Sequence, residues 1–392
     1  MRKIHLFNPG SETAVLFNKA HYTPPANVAQ MRRDLACLPL AYADPDDYVL
    51  GASDADLAFA ATLPDLQEPF AKVVTALPEN ESAEAEPWGI SPDSPDLFRH
   101  LLAPKDAARL TMPVWKPEFR QLISRETAAE CLRLLNLPNK PVLPQFMQSV
   151  PDLIDFIQNS RTTFVLKEPF SSSGRGLLWL NDGVVSAIDR KWIEGALKRQ
   201  GQLSIEKALD KQLDFAMEFS SDGEGHVRFL GLSLFDTASK GAYSGNVLAS
   251  QETLEQRIVA LSGREAFETV KKELNRVLEH LIGPVYRGIL GVDMMIYRDE
   301  KFGCLIHPCL EINLRHTMGT TALALYERHI HPSSEGSFTV SFEKQSGEAL
   351  RKHQKMLSDF PLLIREGRIQ SGYLSLCPAT SGTHYRAFLL VK

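Results

Sequence analysis

Residues 286–315 constrain the fold more than any other stretch. They read YRGILGVDMMIYRD and then FGCLIHPCLEINLR, two apolar runs joined through DEKFG, which predicts a pair of antiparallel strands. Asp293 interrupts the first run, and Glu311, Asn313 and Arg315 alternate with Ile312 and Leu314 on the second. A period of two puts the carboxylate, amide and guanidinium on one face and the apolar residues on the other. Two carboxylates and an amide carbonyl on neighbouring strands form the hard oxygen set that Mg²⁺ prefers. Arg315, on the same face, suits a planar anion such as a carboxylate or a transferring phosphoryl group. A buried salt-bridge network would use the same residues, but two negative groups and an amide beside one arginine leave acceptors in excess, and a cation relieves that excess.

A second stretch, residues 164–180, sets Lys167 in a strand and follows it with a serine and glycine loop: FVLKEPFSSSGRGLLWL. A lysine in a half-buried strand needs a negative partner. Small residues at a strand tip let backbone N–H groups close over an anion, most often phosphate. Read alone, the segment is equally a hairpin turn with a snorkelling lysine.

At 392 residues the chain exceeds one small core and predicts two or three domains. Its 43 basic and 48 acidic residues give a net charge of −5, so no global field recruits nucleic acid or an anionic membrane. The cysteines are five and scattered, which speaks for a reducing compartment and against a disulfide framework. Cys304, His307 and Cys309 have the composition of a metal site but lie in one strand-like run with no second ligand pair nearby. The opening MRKIHLFNPGSE breaks at Asn8, Pro9 and Gly10 before a signal-length apolar run develops, and no run approaches 18 apolar residues. The expectation is a soluble, cytoplasmic protein.

KIHLF predicts a first strand ending in the turn NPG, an opening typical of an α/β domain with a ligand crevice after the strand. GxGxxG and GxxxxGK[ST] are both missing. Residues 78–96, rich in acid, proline and serine, read as a loop near the end of the first domain, docked through Trp88. SRETAAECLRLLNLP predicts a helix capped by Ser124, and VPDLIDFIQNS a second. LSIEKAL, QLDFAMEF and HVRFLGLSLFDT read as strands, ASKGAYSGNVLAS as a loop, residues 252–282 as one long helix, and the tail SGYLSLCPATSGTHYRAFLLVK as a hairpin.

Taken in order over residues 120–325, FVLKEPFSSSGRG, LSIEKAL, GVDMM and EINLR resemble the ATP-grasp superfamily: a lysine strand, a Gly-rich loop, an adenine hinge and an acidic Mg²⁺ hairpin. The resemblance implies an α/β (α+β) chain in which two α+β subdomains clamp ATP behind an N-terminal α/β domain. The division it suggests is 1–120 for that domain, 121–205 for the lid subdomain, 206–330 for the subdomain with the metal hairpin, and 331–392 for a C-terminal extension. By resemblance Lys167 binds the nucleotide phosphates under the loop containing Ser172, Ser173, Gly174, Arg175 and Gly176. Glu206 and the backbone of Lys207 and Ala208 read adenine with Leu209 packed on it, and Asp214, in preference to Asp210, holds the ribose. Arg125 stands where the family often has a phosphate-binding lysine.

Asp293, Glu311 and Asn313 are the implied ligands of Mg²⁺, or Mn²⁺ in its place. Lys240, with Tyr243 and Asn246, lies in a loop like the substrate cover of the D-alanine ligase relatives. Glu311, Asn313 and Arg315 form an ExNxR pattern similar to the biotin carboxylase and carbamoyl phosphate synthase type, in which the arginine holds a small carboxylate. The implied activity is ATP-dependent ligation of a small-molecule carboxylate, or a peptide, to an amine through an acyl phosphate. A phosphotransferase of the same fold and a regulatory nucleotide-binding module are the alternatives.

Overall fold

The computed structural model describes residues 1–139, 143–160, 162–171, 176–237 and 243–392. Its strands are β1 (Lys3–Leu6), β2 (Tyr48–Leu50), β3 (Lys72–Val74), β4 (Ala83–Pro87), β5 (Leu110–Thr111), β6 (Gln145–Met147), β7 (Phe164–Lys167), β8 (Leu177–Leu180), β9 (Leu203–Lys207), β10 (Asp210–Asp222), β11 (Val227–Thr237), β12 (Tyr243–Leu248), β13 (Arg287–Asp299), β14 (Gly303–Asn313), β15 (Gly336–Phe342), β16 (Leu363–Arg365), β17 (Arg368–Ser375) and β18 (Tyr385–Val391). The chain forms two compact units. The first gathers Met1–Trp115, Ser244–Leu254 and Arg315–Lys392; the second gathers Lys116–Tyr243 and Glu255–Leu314.

In the first unit a parallel sheet runs in the order β3-β2-β1-β4-β5. Strand alternation sends Ile4, Leu6, Tyr48, Leu50, Ala83 and Ala85 to one face, where they pack with Phe98 and Leu102. Phe7, Val49, Val73 and Trp88 point the other way, into a core completed by Leu248, Ala322, Phe338, Leu374 and Leu389 from the distant parts of the chain. Those parts contribute antiparallel strands in the order β12-β15-β18-β17-β16. β17 and β18 pair as the hairpin expected of the tail.

Three expectations fail here. ASKGAYSGNVLAS, read as a loop, contains β12, which pairs with β15. The acid-rich segment 78–96, also read as a loop, contains β4, the neighbour of β1 inside the parallel sheet. AEAEP looks nothing like a buried strand, because its core contacts are made by alanines. Glu86 is tolerated within the sheet because Lys3 Nζ and His316 Nε2 each lie 3.4 Å from its carboxylate. Burial alone would raise that carboxyl, and the His316 and Lys3 contacts outweigh it, holding the pKa at about 2. The helix expected over 252–282 is two helices, Gln251–Ser262 and Arg264–Leu281, divided at Gly263 (φ 81°, ψ 146°). That conformation belongs almost only to glycine. The apolar stripe of the second helix, Phe267, Val270, Leu274, Val277 and Leu278, is buried as expected.

The second unit holds an antiparallel set in the order β14-β13-β10-β11 and a four-stranded antiparallel sheet, β6-β9-β7-β8. Phe164, Leu166, Leu180, Leu203 and Ile205 line one face of the smaller sheet and pack on Leu153, Ile157, Ile193 and Ala196 of the helices Val150–Gln158 and Ala187–Gln200. The opposite face is left to Val165, Lys167, Ser204 and Glu206. Among the described residues no helix is long and apolar enough to cross a membrane.

Candidate nucleotide and metal site

Lys167 and Glu206 sit on adjacent strands of the smaller sheet, where Val165 pairs with Glu206 and Lys167 with Ser204. The offset of one pair lets Lys167 Nζ reach Glu206 Oε2 at 2.6 Å, with both side chains withdrawn from solvent. The negative partner that a strand lysine requires is thus supplied from β9, 39 residues on. Burial would raise the Glu206 carboxyl, and the Lys167 ammonium overcomes this, so it stays below the usual carboxylate range. His307, on β14, is the third member of the group. Burial holds its imidazole neutral, with a pKa of about 4, although Glu206 pulls it upward.

The acidic face forms as the period of two requires. Asp293 and Glu311 are direct cross-strand partners on β13 and β14, and Asn313 pairs with Gly291 one step further along. Between Asp293–Glu311 and Met295–His307 the register shifts, leaving Pro308, Cys309 and Leu310 opposite the single residue Met294. Pro308 has no N–H for the ladder, and β14 lies at the sheet edge, where such a bulge is tolerated. Next along the row, β10 places Ala216 against Asp293 and Glu218 against Gly291. Glu218 is 1% exposed and accepts a hydrogen bond from Ser233 Oγ at 3.0 Å. Reading QLDFAMEF as a strand does not single out this carboxylate, although the spacing from Asp214 to Glu218 puts both on one face.

Arg125 opens the helix Arg125–Leu134, whose cap is the expected Ser124. It is 9% exposed, with Nε donating to Glu168 O (3.1 Å) and Nη2 to Glu311 Oε2 (3.0 Å). The guanidinium therefore ties the chain before the Gly-rich loop to the acidic hairpin. Asp214 Oδ2 is held by Lys211 and accepts from Thr237 Oγ1 at 2.7 Å. At the expected hinge, Glu206 faces Lys167, Lys207 is exposed and Leu209 half-buried. The Ala208 N–H donates to Thr163 O at 2.9 Å, which removes it as a donor to a base.

Arg315 departs from the expectation. β14 ends at Asn313, and Arg315 bridges to Gly89 in the first unit, with Nε on Glu12 Oε1 (2.5 Å) and Nη1 on the His316 carbonyl (3.1 Å). Alternation holds only while the ladder continues, and the chain leaves the ladder two residues early. Ser172, Ser173, Gly174, Arg175 and Lys240 lie outside the described residues; Gly176, at their edge, has φ 72°.

Among the described residues no group of three or more His, Cys, Asp or Glu side chains is gathered to hold a metal. Cys309 is buried against Cys131, and burial foremost raises its thiol far above the usual range, so it stays protonated and a poor metal ligand. The acidic hairpin offers two carboxylates and one amide oxygen. That is too few for an all-protein cage and suits Mg²⁺, which keeps waters and shares its shell with substrate phosphates.

No protein-family model matches the chain, and no curated protein matches it. Solved structures do. The biotin carboxylase of Campylobacter jejuni, in a β,γ-ATP complex, is similar over 100% of this chain and 87% of its own, with a TM-score of 0.52 at 9% identity. N5-carboxyaminoimidazole synthase of Aspergillus clavatus, in complex with ADP and 5-aminoimidazole ribonucleotide, is similar over 100% and 94%, with a TM-score of 0.50 at 12% identity. Mixed α/β architecture and these neighbours define the class: the chain has the ATP-grasp fold.

Proposed function

We propose that this protein is an ATP-dependent ligase that activates a small carboxylate for attack by an amine, releasing ADP and phosphate. The observation that carries the reading is the second unit's convergence of a buried Lys167–Glu206 pair with a row of Asp293, Glu311 and Asn313, in a fold shared with ATP and ADP complexes. Lys167 would hold the nucleotide phosphates, and Glu206 keeps its ammonium placed before nucleotide arrives. Asp293, Glu311 and Asn313 would hold Mg²⁺, which when bound offsets the phosphate charge that an attacking carboxylate meets. Arg125 would neutralise and orient Glu311. No side-chain nucleophile is needed, since positioning and charge supply the catalysis.

The test is incubation with ATP, Mg²⁺ and a mixture of carboxylates and amines, followed by mass spectrometry. ADP, phosphate and a condensed product support the ligase. A phosphorylated acceptor with no condensation makes the protein a phosphotransferase, and nucleotide binding with no ADP makes it a passive binder.

A further inference from the structure

In the first unit, β2 and β3 lie to one side of β1 while β4 and β5 lie to the other, so the winding of the parallel sheet reverses between β1 and β4. The crevice beyond the carboxyl ends of two such strands is where open α/β sheets take ligands. Here the loops leaving them are stitched together. Asn8 Nδ2 donates to Gly89 O (2.8 Å), and the Gly89 N–H donates back to Asn8 Oδ1 (3.1 Å). Gly89 fits because it has no side chain: a Cβ there would lie 2.3 Å from Ser11 Oγ.

Beside this seam the same loops gather two opposite charges that do not neutralise each other. Arg32, on the helix Ala26–Asp34, donates from Nε to Pro9 O at 3.4 Å, while its Nη2 is buried with no hydrogen-bond partner among the described residues. Asp93, 2% exposed, accepts from Ser91 Oγ at 2.6 Å through Oδ1, while its Oδ2 is buried with no hydrogen-bond partner among the described residues. Each nevertheless feels the other. Burial lowers the Arg32 pKa and Asp93 opposes it; burial raises the Asp93 pKa and Arg32 opposes it. Tyr22 stands within range of both charges. A buried donor and a buried acceptor left unsatisfied are uncommon in a folded chain and call for an occupant.

We propose that the crevice between the β1 and β4 loops binds a small zwitterion, an α-amino acid, with its carboxylate on Arg32 Nη2 and its ammonium on Asp93 Oδ2. A ligand carrying both charges satisfies both orphaned atoms at once. A simple anion would satisfy only Arg32, and a simple amine only Asp93. This deepens the ligase reading and rests on it for its purpose, since it names the amine substrate as an amino acid; the binding itself requires no nucleotide.

The experiment is calorimetry on the full chain without ATP, using each of the twenty common amino acids, with acetate and methylamine as controls of single charge. At least one amino acid should bind, at least tenfold more tightly than either control, and Arg32→Gln and Asp93→Asn should each weaken it at least tenfold. Thermal melts establish that the variants fold. Should either fail to fold, Tyr22→Phe and a pH titration of the parent replace it, binding being expected to weaken as Asp93 protonates. Silence with every amino acid, equal affinity for acetate, or undiminished binding in the folded variants overturns the site. ADP release with amines while calorimetry is silent would overturn this site and leave the ligase standing. Amino-acid binding with no ADP formed would do the reverse.

Discussion

Replacing Lys167 with methionine keeps most of the side-chain length and removes the charge, leaving the Glu206 carboxylate buried without its partner at 2.6 Å. Both side chains are largely withdrawn from water, 10% and 16% exposed, so the small values typical of surface pairs do not apply. Breaking a buried pair from one side costs about 3–5 kcal/mol. His307 is no ready substitute, because burial, the main cause of its depressed pKa of about 4 in the parent, persists in the variant although the lowering by Lys167 is gone. The pH dependence sharpens the expectation. In the parent the Glu206 carboxyl lies below its unfolded value of about 4.3, so its contribution is complete above that value and is lost as pH falls through the folded pKa. In Lys167→Met, burial is opposed only by the lesser pulls of His307 and Arg125, and the shift changes sign. The protonated carboxyl is then the favoured folded form, and stability present below about 4.3 is lost as pH rises through the new, raised pKa. The deficit relative to the parent should therefore be widest at pH 7.5 and shrink toward pH 5. Urea unfolding at both pH values measures it, and Glu206→Gln added to Lys167→Met should restore most of the loss. A deficit under about 1 kcal/mol, the range of an exposed pair, or one equal at both pH values, would refute the argument.

Four further outcomes are expected. The His307 imidazole should titrate near pH 4 by proton NMR; because its folded pKa is depressed, stability should rise with pH between about 4 and 6.5, and a midpoint near 6.5 would place it in water. Glu311→Gln should raise the Mg²⁺ concentration needed for ADP release and lower turnover while nucleotide still binds; an unchanged Mg²⁺ titration removes Glu311 from the metal set. Glu86→Gln should flatten the acid limb of the stability profile between about pH 4.3 and 2, where the parent loses the contribution of its depressed carboxylate; identical limbs would deny that Glu86 is paired in solution. Gly263→Ala should cost about 1–3 kcal/mol through backbone strain alone, since among the described residues no atom beyond its chain neighbours lies within 4 Å of the new Cβ, and a neutral melt would contradict the assigned φ.

The acidic hairpin was legible in part because strand alternation is local: period two sets Asp293 and Glu311 on one face before any partner is known, but a plain hairpin through DEKFG would pair Asp293 with Cys309, and only the bulge at Pro308–Leu310 brings Glu311 opposite it. The capped helix at Ser124 and the lysine strand were legible for the same reason. What local pattern could not supply was partnership at a distance. Glu206 as the counter-charge of Lys167, and Glu311 as the acceptor for Arg125 from 186 residues away, are decided by which strands and helices pack together. Arg315 shows the limit from the other side: the alternating pattern continues through it, yet the ladder ends at Asn313 and the side chain turns to Glu12. β4 was illegible because its alanines and glutamates carry no strand signature, and Glu86 sits half-buried in the sheet only because His316 and Lys3 come to meet it. Amino-acid order alone determined the periodicities and turns, which depend on neighbours a few residues away. Charges removed from water need counter-charges within a few ångströms, and only the tertiary structure decided which ones those would be.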